Sequence, residues 1–172
     1  LIDAATVLID ESTVNTNSLA APGSPPATGN SGALSIRATE VTLNNGAQLR
    51  SDSLSEGHGG DIKIETNELS LNGENTSITA QTTGTGEGGF IQVDAREVAL
   101  TDRASIKTDS LRSGEGGFIA INSTQSVSVE GAGTSISAKA GGSGIGGAIL
   151  IITDSFSLTN EASLDAEAFS SG

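Results

Sequence analysis

Residues 60–88 read GDIKIETNELSLNGENTSITAQTTGTGEG, residues 89–116 read GFIQVDAREVALTDRASIKTDSLRSGEG, and residues 117–146 read GFIAINSTQSVSVEGAGTSISAKAGGSGIG. These are three copies of one pattern. A fourth copy opens at Gly147 and a degenerate one at Gly32, so the starts are spaced by 28 to 30 residues. Internal repeats of this length are settled first, because they decide the architecture.

Set in register, the apolar residues fall into columns. The first reads Leu34, Ile62, Ile91, Ile119, Ile149, and the second, two residues on, Ile36, Ile64, Val93, Ile121, Ile151. A third reads Val41, Leu69, Val98, Val127, Phe156 and a fourth Leu43, Leu71, Leu100, Val129, Leu158. The fifth, Leu49, Ile78, Ile106, Ile136, Leu164, is followed two residues later by small residues: Ser51, Ala80, Thr108, Ala138, Ala166. Ile2, Val7, Ile9, Val14 and Thr16 fit the second to sixth columns of an earlier, partial copy.

Each copy therefore repeats apolar-x-apolar, a gap, apolar-x-apolar, a gap, and apolar-x-small. Period-two alternation turns one set of side chains inward from a strand, and the same spacing excludes a helix. One copy has too few inward residues to bury its own faces. Stacking solves this: each strand pairs in parallel with its equivalent one coil away, about 4.8 Å along the axis, and the columns become a continuous core. The expected fold is an all-β, right-handed parallel β-helix of about six coils with three short strands each and no significant helix. A left-handed helix requires a hexapeptide repeat, which is absent, and a β-sandwich gives no reason for equivalence column by column.

Composition agrees. Among 172 residues there are 23 glycines, no Cys, Met, Trp or Tyr, and only four Phe. A globular domain of this size carries more aromatic volume, whereas the narrow interior of a solenoid is filled by stacked aliphatic and small side chains. No apolar run approaches the length that spans a membrane as a helix. The formal net charge of −13, with eight basic residues spread along the chain, argues against nucleic acid, which demands clustered Lys and Arg. An acidic, Cys-free surface suits a solvated filament outside the cell.

Taken in order, the expected organisation is one solenoid segment cut from a longer one. It has a partial coil at 1–16, an inserted loop at 17–31 holding all three prolines, and coils at 32–59, 60–88, 89–116, 117–146 and 147–172. Pro-Pro and Gly favour an extended loop that cannot join a ladder. Each coil ends in a Gly-rich return such as DSLSEGHG, QTTGTGEG or DSLRSGEG. There glycine is expected to supply positive φ and close approach, and the returns are expected to form a mobile stripe along one edge. One extra residue between Ile121 and Val127 predicts a bulge at the first corner of its coil.

Chemistry has to lie in the outward columns. One of these holds Glu40, Glu68, Glu97, Gln125 and Ser155. Carboxylates one coil apart repel, and Ca2+ would relieve this, with Arg37, Lys63 and Arg96 near enough in sequence to act as counter-charge instead. No metal or cofactor is assigned; Glu40, Glu68 and Glu97 are the nearest approach to a calcium site. His58 is the only histidine and has no Cys, second His or Ser–Asp pair beside it in sequence, so neither a zinc site nor a triad is indicated. Polysaccharide-active enzymes also use β-helices, but they gather distinctive residues on one face, whereas these coils are nearly interchangeable. No catalytic residue is assigned.

Copies such as GGFIQVDAREVALTDRASIKTDS (88–110) and GGAILIITDSFSLTNEASLDAEA (146–168) resemble the repeats of large filamentous-haemagglutinin-like exoproteins, especially the cyanobacterial kind. The resemblance covers nearly the whole chain and concerns architecture, not a site. It implies a long β-helical shaft, secreted by the two-partner route through an outer-membrane transporter, that acts as an adhesin on the cell surface or in the medium. Its partners would be a cell-surface glycan, a protein receptor, or copies of itself end to end. A self-associating surface filament and a polysaccharide-active enzyme are the alternative readings.

Overall fold

The computed structural model describes residues 1–19 and 28–168. It is an all-β solenoid with no helix among the described residues, built of a first winding and five that follow. Each winding contributes strands to two parallel sheets. The larger sheet holds ten strands: β1 (Ile2–Asp3), β2 (Thr6–Asp10), β4 (Leu34–Arg37), β5 (Glu40–Asn44), β7 (Asp61–Glu65), β8 (Glu68–Asn72), β10 (Phe90–Thr101), β12 (Phe118–Glu130), β14 (Ala148–Ile152) and β15 (Ser155–Thr159). The smaller holds six: β3 (Thr13–Asn15), β6 (Gln48–Arg50), β9 (Ser77–Thr79), β11 (Ser105–Lys107), β13 (Ser135–Ser137) and β16 (Ser163–Asp165).

The columns are real piles. Ile62 pairs with Ile91, Ile91 with Ile119, and Ile119 with Ile149, all in parallel register. Ile78, Ile106, Ile136 and Leu164 do the same in the smaller sheet. Ile62, Ile64, Leu69, Leu71, Ile78, Ile91, Val93, Val98, Leu100, Ile106, Ile119, Ile121, Val127, Val129 and Ile136 are all at most 1% exposed. Full burial of such a side chain contributes about 1.5–3 kcal/mol, and each is covered by equivalents above and below. In the last described winding Phe156, Leu158 and Leu164 remain about two-fifths exposed, because no further described winding lies over them.

The expectation of three short strands in every coil needs correction. In two windings β10 and β12 run unbroken through the first corner, for 12 and 13 residues. At that corner Ala95 pairs with Ser123, and the Ser123 hydroxyl donates to the carbonyls of Arg96 at 2.7 Å and Ser126 at 3.0 Å. Thr66 does the equivalent in an earlier winding, donating to the Thr39 and Glu68 carbonyls. The extra residue between Ile121 and Val127 appears as expected: Ala95 pairs with Ser123 but Glu97 with Ser126, a one-residue bulge.

The expectation for the return glycines holds for close approach and is corrected for positive φ. Positive φ is concentrated at the second corner, between the larger and smaller sheets, at Asn45 and Gly46, Asp102 and Arg103, and Asn160 and Glu161. Of the described return glycines only Gly142 has it. Elsewhere in the returns glycine is needed for lack of a side chain: a Cβ at Gly84, Gly86 or Gly114 would run into the backbone of the preceding winding. The returns are also bonded to one another from winding to winding. A ladder of single bridges joins Ser18, Ser53, Thr82, Ser110, Ala140 and Ala168. The Thr82 hydroxyl donates to Gly57 O at 3.0 Å and the Ser110 hydroxyl to Gly86 O at 3.1 Å. The returns form a third, narrow wall.

The prolines of the inserted loop lie outside the described residues. Its stem is closed by Ser18, whose amide donates to the Ser31 hydroxyl at 3.2 Å and whose hydroxyl donates to Gly29 O at 2.7 Å. On either side of it β1 and β4 are direct neighbours.

Candidate functional site

The glutamate column exists as a parallel pile on the outer face. Glu40, Glu68 and Glu97 stand opposite one another on β5, β8 and β10, and the bulge puts Ser126, not Gln125, next in line, followed by Ser155. Arg96 answers this charge: its Nη2 lies 3.2 Å from Glu97 and 3.6 Å from Glu68. Among the described residues no three His, Asp or Glu are grouped closely enough to hold a metal ion. Arg37 and Lys63, expected to serve the same column, are engaged elsewhere, each 2.6 Å from a Glu65 oxygen. Hydrogen bonds from Lys63 and then Arg37 hold the Glu65 carboxyl below its ordinary pKa, and the two bases are correspondingly raised.

His58 sits on the return wall as a tie between windings. Its amide donates to Asn30 Oδ1 at 3.0 Å, and its Nδ1 accepts the Glu87 amide at 3.0 Å.

Where each winding begins, a groove of about 580 Å3 runs along the axis. Its floor is the Gly-Gly pairs, one bank carries His58, Glu87 and Glu115, and the other Asp61, Phe90 and Phe118. The two phenyl rings stack with centroids 5.6 Å apart and 4° between planes. Three carboxylates and no Lys or Arg line it among the described residues, so its field favours hydrogen-bond donors over anions.

The smaller sheet has a second, different surface. Outward strand positions are ordinarily open to water, yet Ser77, Thr79 and Ser105 are only 9%, 7% and 8% exposed. They floor a polar groove of about 250 Å3 whose sides carry Gln48, Arg50, Asn75, Gln81 and Lys107. Beside it runs a column of polar side chains that bond to the backbone one winding on. The Asp52 amide donates to Asn17 Oδ1, and the Gln81 amide to Asp52 Oδ1, each at 2.9 Å. The Lys139 amide donates to Asp109 Oδ1 at 2.7 Å. Buried carboxylates demand such partners. Asp52 also receives Arg50 Nε at 2.7 Å and the Thr79 hydroxyl at 3.0 Å, while Asp109 receives the Ser137 hydroxyl at 2.6 Å and Gln81 Nε2 at 3.2 Å.

Reading the sequence by its apolar columns passes over this surface. A signal was available: the residue before the fifth column is Ser77, Ser105, Ser135 and Ser163 in four successive copies. Phe90 and Phe118 likewise follow Gly-Gly in two successive copies.

Comparison of the chain with models of protein families, with curated proteins and with solved structures finds no match. The likeness to filamentous-haemagglutinin-like exoproteins rests on the repeat motif alone.

Proposed function

We propose that this chain is the non-catalytic, repetitive shaft of an adhesin displayed on a cell surface or secreted from it. Its work is to span distance and present side surfaces to glycans or proteins on a target. One observation carries the reading: every described winding pairs in register with the next, from Ile62 through Ile91 and Ile119 to Ile149. Windings that differ little from one another lengthen a rod by about 4.8 Å each and can be added or removed as units. A net charge of −13 keeps such a rod solvated.

The test shortens the rod inside the protein that carries it. Removal of whole windings, residues 60–116, should leave surface display intact by antibody staining while attachment of the displaying cells falls. Unchanged attachment, or release of reducing or unsaturated sugars from a polysaccharide panel by the purified chain, would overturn the proposal.

A further inference from the structure

We infer that the polar groove over β6, β9 and β11 is a binding site for an extended oligosaccharide that carries a carboxylate on alternate sugars. Three observations point there. First, Ser77 and Ser105 are about nine-tenths buried and line the groove, and their hydroxyls have no hydrogen-bond partner among the described residues. The fully enclosed unpaired hydroxyls are those of Ser53 and Thr108, so the Ser77 and Ser105 oxygens stay open to the groove, where a ligand can reach them; Thr79, two residues along β9, is paired through Asp52. The two unpaired groups stand one winding apart, about 4.8 Å, in register through the β9–β11 pairing.

Second, the groove's charge is unbalanced in one place. Arg50 is matched by Asp52 at 2.7 Å, whereas Lys107 enters no ion pair among the described residues. One free ammonium suits one carboxylate. A dense polyanion is disfavoured by the overall charge of −13 and by Asp52 and Asp109 along the same edge, which counts against heavily sulfated chains and nucleic acid. Third, the remaining partners are the amides of Gln48, Asn75 and Gln81, groups that donate and accept at once and so match sugar hydroxyls. An extended peptide fits worse. It is usually captured by a free strand edge, and β9 and β11 are paired on both sides.

This inference deepens the adhesin reading by naming a ligand class, but its geometry stands on this face alone. The test uses the whole chain and a hyaluronan hexasaccharide, in which uronic acid and N-acetylhexosamine alternate, followed by calorimetry and amide chemical shifts. Cellohexaose, a heparin hexasaccharide and a Glu-rich peptide serve as comparisons. The expected result is saturable binding of the hyaluronan probe with shifts centred on Ser77, Thr79, Ser105 and Lys107. K107Q should weaken it about tenfold, as loss of a charge-assisted bond does, and the S77V/S105V pair by at least as much. E87Q, on the other groove, should bind normally, and circular dichroism should show all variants folded. No binding of the hyaluronan probe, equal binding by folded K107Q, or preference for cellohexaose, heparin or the peptide overturns the inference. Any of those results leaves the shaft reading standing, because that turns on reach and not on this groove.

Discussion

The amide of Gly117 donates to the carbonyl of Thr108 at 2.7 Å, closing one winding on itself. Gly60 closes on Ser51, Gly89 on Ala80 and Gly147 on Ala138 in the same way, at 2.6 to 2.7 Å. The Gly-Gly pairs and the column of small residues are thus two sides of one contact. A Cβ on Gly117 would stand 2.7 Å from the Thr108 Cβ, closer than real side chains approach.

G89A should accordingly destabilise far more than an exposed glycine replacement. Its Cβ would meet Gly60 O and the Ala80 Cβ, and overpacking a dense interior costs about 1–3 kcal/mol or more. Thermal melting followed by circular dichroism checks this, with A80L expected to be as harmful from the opposite side. A melting point within a degree of the parent for both would show that the winding closes less tightly than described.

I91D should unfold several windings together, since Ile91 is 0% exposed and shared by the windings on both sides. A buried unpaired carboxylate costs several kcal/mol. I149D, in a half-buried position of the last described winding, should cost less. Urea titration of both variants gives the comparison.

E87A and S113A should leave stability within about 0.5 kcal/mol of the parent. Both side chains face solvent although the return wall beneath them is tightly stacked. A large loss in melting temperature for either would mean that outward groups, and not the glycines, hold that wall.

D109A should cost about 2–3 kcal/mol, because it strands the Ser137 hydroxyl and the Lys139 amide that Asp109 receives at 2.6 and 2.7 Å. D109N keeps an acceptor oxygen and should recover some of the loss. Equal destabilisation by the two variants would assign the effect to charge and not to the missing acceptor.

Acid should remove the Glu65 contribution. The folded carboxyl lies below its ordinary value through Lys63 and Arg37, so the native state binds the proton less readily than the unfolded chain. Stability from this site is fully present above the ordinary glutamate pKa and fades as pH falls through the lower folded value. E65Q should flatten that region of the acid limb in a pH-dependent melting series and leave the neutral region nearly unchanged, as expected for exposed pairs. An unaltered acid limb in E65Q would mean that Glu65 is not held by its neighbours in solution.

What could be read in advance follows from what repetition records. Ile62, Ile91, Ile119 and Ile149 meet the same interior winding after winding, so the same residue type recurs at the same spacing and betrays both strand and stacking. The extra residue before Val127 is visible as a break in that spacing and becomes the bulge. Its effect on the neighbouring column is not visible, since only the ladder shows Ser126, not Gln125, opposite Glu97. Glycine in the returns misleads in another way: a residue name does not separate the need for positive φ from the need for no side chain, and only the neighbouring backbone at Gly84 or Gly114 decides it.

The amino-acid order by itself determined the solenoid, its period and its apolar columns, because burial of apolar residues follows local alternation repeated at a fixed interval. The tertiary structure alone decided which outward groups share a groove. Ser77, Ser105 and Lys107 meet there because parallel pairing lays one winding on the next. The side chain that a residue meets across the ladder is not written in the spacing of a single copy.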